Sequence, residues 1–143
     1  MRKIRTAIIG CGKVSDLHAA ALKHLPEVEF VAIYSRSGEK AKQYGEKYGV
    51  EGFCDIGKMV ATAGVEAAIV CTPHPAHRDA AVAAIEAGAH VLVEKPLAAT
   101  LKDCDDILNA AKQAGVKVGT VCQRRFYAPS QRMRRAIDSA DGG

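Results

Sequence analysis

The sequence predicts an α/β fold: a doubly wound, mainly parallel six-stranded sheet with helices on both faces. Three observations predict it. Short apolar runs alternate with helix-length amphipathic segments along most of the 143 residues. The first run ends in a glycine-rich turn, Gly10-Cys11-Gly12-Lys13-Val14-Ser15, that opens a helix. The fifth ends in Glu94-Lys95-Pro96. Helices of this length between strands imply parallel pairing, because each crossover must traverse the sheet. Right-handed crossovers then give the strand order 3-2-1-4-5-6, with a ligand crevice at the switch point between strands 1 and 4.

The elements follow in order. Ile4–Ile9 reads as a buried strand, and Val14, Leu17, Ala21 and Leu25 recur at helical spacing after it. Pro26 ends that helix. Phe30–Tyr34 is a second strand, and Ser37 to Tyr48 a charged helix stopped by Gly49. Gly52–Cys54 is a short third strand, and Asp55 caps a short helix that ends by Gly64. Ala67–Cys71 is the fourth strand, followed by an alanine-rich helix from Ala76 to Ala87 that stops at Gly88. His90–Val93 is the fifth. Thr100-Leu101-Lys102-Asp103 resembles a capping box with Asp in place of Glu. The helix it opens places Leu101, Cys104, Leu108 and Ala111 on one face and ends at Gly115. Val116–Val121 is the sixth strand. A last amphipathic helix, Pro129 to about Ala140, precedes an Asp-Gly-Gly tail. The expected division is a dinucleotide-binding domain over residues 1–122 and a crossover helix over 123–143.

Composition narrows the classes. Apolar content of 48% and charged content of 25% suit a soluble globular domain. No stretch approaches the roughly 20 apolar residues of a membrane span, and the apolar run after the basic N-terminus stops at Gly10, too soon for a secretory signal. Five cysteines, with no C-x-x-C pair, suit neither a zinc site nor a disulfide framework, and read as free thiols in a reducing cytoplasm. His74 and His77 lack the further ligands of a metal site, so no metal is expected. A net charge of +4 is mild. The arginines at 124, 125, 132, 134 and 135 have only Phe126 and Tyr127 for company, a poor stacking platform, so no nucleic-acid partner is expected.

The glycine turn carries the first chemistry. Gly10 permits the tight exit from the strand, Gly12 lets backbone approach a pyrophosphate, and the third small position favours close helix–strand packing. Ser15 stands at that third position. The helix N-terminus then offers free N–H groups and its positive dipole end to the phosphates, as in Rossmann-type domains. At the end of strand 2, where an acidic residue would accept from a ribose 2′-hydroxyl, stand Ser35 and Arg36. A hydroxyl and a guanidinium suit a 2′-phosphate, so NADP is preferred over NAD; the alternative is a solvated Arg36 and a domain that takes either cofactor. Thr72-Pro73-His74-Pro75-Ala76-His77 follows strand 4 at the crevice and forms one wall of the nicotinamide side, with His77 near the start of the next helix as a packing or hydrogen-bonding residue. Lys95 stands at the crevice edge, where a lysine can stabilise negative charge developing on a substrate oxygen. Glu94 can orient it, Pro96 fixes the turn, and a cis Lys95–Pro96 bond is conceivable. The bland alternative is a surface lysine before an ordinary loop.

These residues together resemble the N-terminal domain of the glucose–fructose oxidoreductase, inositol dehydrogenase and rhizopine-catabolism family (Gfo/Idh/MocA). The carriers are Gly10-Cys11-Gly12 with His18, the Thr72-Pro73 loop with His77, Glu94-Lys95-Pro96, and Gln123-Arg124-Arg125-Phe126. The resemblance implies hydride transfer between NAD(P) and a sugar, polyol or related carbonyl. It implies that Lys95 lies near the nicotinamide as a catalytic residue, that Glu94 and Lys95 are both cofactor-binding, and that Gly10, Gly12, Lys13 and Val14 surround the pyrophosphate. Ser35 and Arg36 would meet the adenosine ribose, and Thr72, Pro73 and His77 would line the cleft. Gln123 and Arg124 would reach cofactor or substrate from the rim. Ser15 and His74 depart from the family pattern, the latter standing where Asn is frequent. The family's second domain, which supplies an Asp and a His and most oligomer contacts, lies outside the sequence. The resemblance therefore implies a fragment that binds cofactor and turns over poorly, of a full-length homo-oligomer. The competing reading is a non-enzymatic NAD(P)-binding sensor or scaffold, against which the lysine argues.

Overall fold

The computed structural model describes residues 2–140. The strands are β1 (Ile4–Ile9), β2 (Val28–Tyr34), β3 (Glu51–Phe53), β4 (Ala67–Val70), β5 (His90–Val93) and β6 (Val118–Thr120). They form one sheet in the order β3-β2-β1-β4-β5-β6, and every pairing is parallel. Helices α1 (Lys13–His24), α2 (Gly38–Tyr48), α3 (Ile56–Ala63), α4 (His77–Glu86) and α5 (Leu101–Ala114) are the crossovers, and α6 (Ala128–Ala140) follows β6. Order and direction are those the alternating pattern predicts. None of the described helices is long and apolar enough to cross a membrane.

The register decides where function can sit. Ile9 pairs with Tyr34 on one side and Val70 on the other, Val70 pairs with Val93, and Val93 with Thr120. Tyr34 also pairs with Phe53, so all six strands end on one line. The ladder continues a residue further: Gly10 N–H donates to the Tyr34 carbonyl at 2.9 Å, Cys71 N–H to Ile9 at 2.8 Å, and Glu94 N–H to Val70 at 2.9 Å.

Side chains alternate through the sheet to opposite faces. Ala7, Ile9, Ala32, Val70 and Val93 pack under α3, α4 and α5, with Met59, Ile85 and Ile107 fully buried among them. Ile8 and Ile33 face the other way, against Ala19 and Leu22 of α1 and Tyr44 and Tyr48 of α2. On that second side Leu92 of β5 stays 39% exposed.

Several helix ends match their sequence signals. Ser37, Asp55 and Thr100 accept from the N–H groups of Lys40, Lys58 and Asp103, and Gly49, Gly64 and Gly115 close α2, α3 and α5. The Thr100 box is modified: Asp103 accepts from the Thr100 hydroxyl at 2.7 Å. The aspartate is one methylene shorter than the usual glutamate. Strand 2 begins earlier than its apolar run suggested, at Val28, and the alanine-rich helix is preceded by a 3-10 turn over His74–Ala76.

Two amphipathic faces are corrected. In α1 the sheet-facing residues are Ser15, Ala19 and Leu22, whereas Val14, Leu17 and Leu25 are 41%, 72% and 48% exposed. A helix that leaves a strand through a tight glycine turn starts close to the sheet, so small residues face inward. In α5 the core-facing stripe is Ile107 and Ala111, both buried, with Cys104 half-buried beside them, and Leu101 and Leu108 are exposed. The α1 face is also pinned from the side: Asp16 accepts from Lys47 at 2.6 Å and from the Tyr48 hydroxyl. Lys47 and then Tyr48 hold the Asp16 carboxyl below its ordinary range, while burial and then Asp16 push Tyr48 up to about 12.

The α6 helix makes a different case. Its residues 131–139 are all exposed, including Met133 and Ile137 at 67% and 56%. The expected tail after it lies outside the described residues.

Ile107→Ala should lower stability by about 2–5 kcal/mol, as other large-to-small core changes do, and Leu108→Ala by under about 1 kcal/mol. Chemical denaturation of the two variants checks the face; a larger loss at Leu108 would contradict it.

Candidate functional site

A cleft of about 1090 Å³ opens along the carboxyl edge of the sheet, where β1 and β4 part to opposite crossovers. Its size is that of a cofactor-binding pocket. Gly10, Gly12, Lys13 and Val14 floor it, Ser35 and Arg36 line one end, and Thr72 and Pro73 form a wall. These eight come from three segments, brought together by the common strand register.

The glycine turn is built tightly below and left open above. Gly10 has φ +122°, and a Cβ there would lie 2.8 Å from the Cys71 carbonyl oxygen. At Gly12 a Cβ would meet nothing within 4 Å, so the space over the turn is clear. Ser15 is fully buried, and its hydroxyl accepts from Gly12 N–H at 3.0 Å and donates back to the Gly12 carbonyl. The serine thus closes the turn that a third glycine would merely have permitted. Lys13 and Val14, the first residues of α1, whose N–H groups have no acceptor within the helix, line the cleft.

At the end of β2 the Ser35 hydroxyl accepts from Ser37 N–H at 3.2 Å and turns the chain into α2. Arg36 is exposed in the cleft, and Ser37 and Lys40 join it there. Neither Arg36 nor Lys40 enters an ion pair among the described residues. Sequence reasoning missed Lys40; its position in the first turn of the capped helix α2 was the available signal. Cys54, Asp55 and Ile56, also unforeseen, close the same end of the cleft.

Thr72 Oγ1 is buried and has no hydrogen-bond partner among the described residues. An orphaned hydroxyl in the wall, an open space above Gly12 and two uncommitted cations at one end all fit a phosphorylated dinucleotide. His77 is placed elsewhere. It is fully buried, with Nδ1 2.8 Å from the Pro96 carbonyl and Nε2 2.9 Å from the Thr72 carbonyl, and does not line the cleft. His74 does line it.

Glu94, Lys95, Gln123 and Arg124 lie outside this cleft. Lys95 is exposed directly after β5, and the Lys95–Pro96 bond is cis. The Glu94 carboxylate accepts from His18 Nε2 at 2.9 Å and from Lys95 N–H at 3.1 Å. Gln123 and Arg124 are exposed in a 3-10 turn after β6. No cluster of three or more potential metal ligands occurs among the described residues.

A family model described as an oxidoreductase family with an NAD-binding Rossmann fold (GFO_IDH_MocA) matches residues 4–121. The chain is 33% identical to a 4-carboxy-2-hydroxymuconate-6-semialdehyde dehydrogenase of a Sphingobium species, over 94% of this chain and 43% of that protein. It is also 33% identical to an NADP-dependent scyllo-inositol 2-dehydrogenase of Bacillus subtilis, over 94% of this chain and 41% of the relative. The crystal structure of the WlbA dehydrogenase from Bordetella pertussis, in complex with NADH and UDP-GlcNAcA, superposes with a TM-score of 0.91 at 32% identity. That match covers 96% of this chain and 42% of WlbA. The chain therefore spans less than half the length of each of these relatives.

The cysteines give this geometry a direct check. Burial and then Glu94 push the Cys71 thiol up to about 12, whereas Cys54 and Cys122 are exposed. A thiol so far above the working pH carries almost no nucleophilic thiolate. Alkylation at pH 8, mapped by mass spectrometry, should modify Cys54 and Cys122 first and Cys71 last; Cys71 reacting ahead of either would contradict the packing at β4.

Proposed function

Because the chain belongs to the Gfo/Idh/MocA oxidoreductase family and forms its NAD(P)-binding domain, we propose that it is the cofactor half of a dehydrogenase acting on a sugar, polyol or related carbonyl compound. One observation carries the reading: the strand register sets the cleft at β1 and β4 beside the turn after β5 that bears Lys95. A dinucleotide whose phosphates lie over Gly12 has its nicotinamide end directed along that edge.

The bound nicotinamide supplies the hydride acceptor or donor. The chain's own residues do the rest. Lys13 and Val14, at the N-terminus of α1, bind the pyrophosphate through backbone N–H groups, and Gly12 leaves the space it occupies. Thr72 gains the partner its hydroxyl lacks. Lys95 donates a hydrogen bond to the substrate oxygen, stabilises the charge that grows there and assists its proton transfer. Gln123 and Arg124 approach from the rim. His77 holds the Thr72 loop against Pro96 rather than touching cofactor.

The second half of the active site comes from a further domain, and α6 begins the crossing to it with Met133 and Ile137 as part of its docking face. Relatives of more than twice this length support that reading. A homo-oligomer of the longer protein follows from the same resemblance. The relatives' dehydrogenase activities favour an enzyme over a sensor module.

NADP is the preferred cofactor, held at its 2′-phosphate by Ser35, Arg36 and Lys40. Calorimetric titration of the chain should show tighter NADPH than NADH binding. Arg36→Asp should weaken NADPH by about 10- to 100-fold, the loss of a charge-assisted pair, and leave NADH nearly unchanged. NADH preference in the unmodified chain would overturn the 2′-phosphate reading.

A further inference from the structure

The Glu94-Lys95-Pro96 turn is held by a histidine from each side. His77 reaches the Pro96 carbonyl from the Thr72 loop. His18 reaches the Glu94 carboxylate from α1, across 76 residues of sequence. A carboxylate only accepts, so His18 Nε2 is the donor. The two side chains are 17% and 18% exposed. The second Glu94 oxygen accepts from the backbone N–H of Lys95. One carboxylate thus links α1 to the backbone of the lysine.

The link is stiff at its α1 end. Gly12 and Ser15 close the first turn of that helix, and Lys47 and Tyr48 of α2 hold Asp16, two residues before His18. The pair is also mostly out of solvent, where an unpaired carboxylate is costly and a charge-assisted hydrogen bond is strong. Among the described residues His24, on the same helix, bonds the Ala20 carbonyl of its own turn and nothing beyond it. His18 is therefore set apart from its neighbour by what it reaches.

We propose that His18 is a positioning residue: by fixing Glu94 it orients Lys95, and it does so from the same helix whose N-terminus faces the cofactor phosphates. The importance of Lys95 rests on the proposed function; the orientation of Lys95 by His18 does not. Without His18 the carboxylate is free to rotate, its grip on the Lys95 N–H loosens, and the nicotinamide end of the site loses definition while the adenosine end keeps it.

The test uses the chain as it stands, with His18→Ala, His18→Gln and, as a control, His24→Ala. The first readout is the Lys95 amide resonance in nitrogen–proton correlation spectra. It should shift in His18→Ala, return in His18→Gln, whose side-chain amide can donate to the same carboxylate, and stay in place in His24→Ala. The second readout is affinity for NADPH against 2′,5′-ADP, which lacks the nicotinamide half. His18→Ala should weaken NADPH by about tenfold, the equivalent of one charge-assisted hydrogen bond, and leave 2′,5′-ADP within about twofold. An unmoved Lys95 resonance in folded His18→Ala, or equal weakening of both ligands, overturns the proposal. Should the unmodified chain bind neither ligand, the cofactor reading fails and the Lys95 resonance alone decides the role of His18. If His18→Ala does not fold, Glu94→Gln takes its place: removing the carboxylate charge should move the same resonance, and an unmoved one overturns the proposal.

Discussion

Gly10 turns the chain out of β1 at φ +122°, in a space where a Cβ would lie 2.8 Å from the Cys71 carbonyl. That close approach of two backbones is the constraint on which the rest of the molecule depends. It keeps β1 and β4 in pairing distance to their last residues, Ile9 and Val70, while their continuations part to opposite faces. The cleft is the gap left by that parting. A side chain at Gly10 would push the two strand ends apart and spoil both the sheet edge and the turn. The same register carries the alignment outward through β5, so that Glu94 and Lys95 emerge on the line set by Gly10.

The two ends of the site are made differently. At one end, helix starts, a buried Ser35 and the cations Arg36 and Lys40 surround a real cavity. The other end is a rigid turn at an open edge. Lys95 is exposed, and the turn that bears it is held by hydrogen bonds at Glu94, the Lys95 N–H and the Pro96 carbonyl rather than by enclosure. A dehydrogenase needs water excluded where hydride moves. Under the proposed function, an edge that is shaped but not enclosed is the form expected of half an active site; the chain spans less than half the length of these relatives.

Much of this was legible in the sequence because the signals were local. Strand runs, helix caps such as Asp55 and stops such as Gly115 depend on neighbours a few residues away, and they hold. The order of strands followed from right-handed crossovers together with the glycine turn of a dinucleotide-binding domain. The α1 face was not legible. Periodicity finds an apolar stripe at Val14, Leu17 and Leu25, but the sheet takes Ser15, Ala19 and Leu22, because close packing after a glycine turn selects for size over apolarity. His77 was legible as a packing or hydrogen-bonding residue at the start of α4, but what His77 and His18 bond was hidden for a different reason. Their partners lie on other segments, and a histidine carries no mark in sequence of which carbonyl or carboxylate it will meet. Lys40 was one exposed lysine among many until α2 placed it beside Arg36.

The central claim is that one dinucleotide spans the shared strand edge from the end of β2 to the turn after β5. Mapping backbone amide shifts of the chain on addition of NADPH tests it most directly. The account predicts perturbations at Gly10–Val14, at Ser35–Lys40, at Thr72 and at Lys95, with the opposite edge of the sheet, at Arg5 and Gly64, unchanged. Shifts that stop at Thr72 and never reach Lys95, or that gather at the opposite edge, would contradict it.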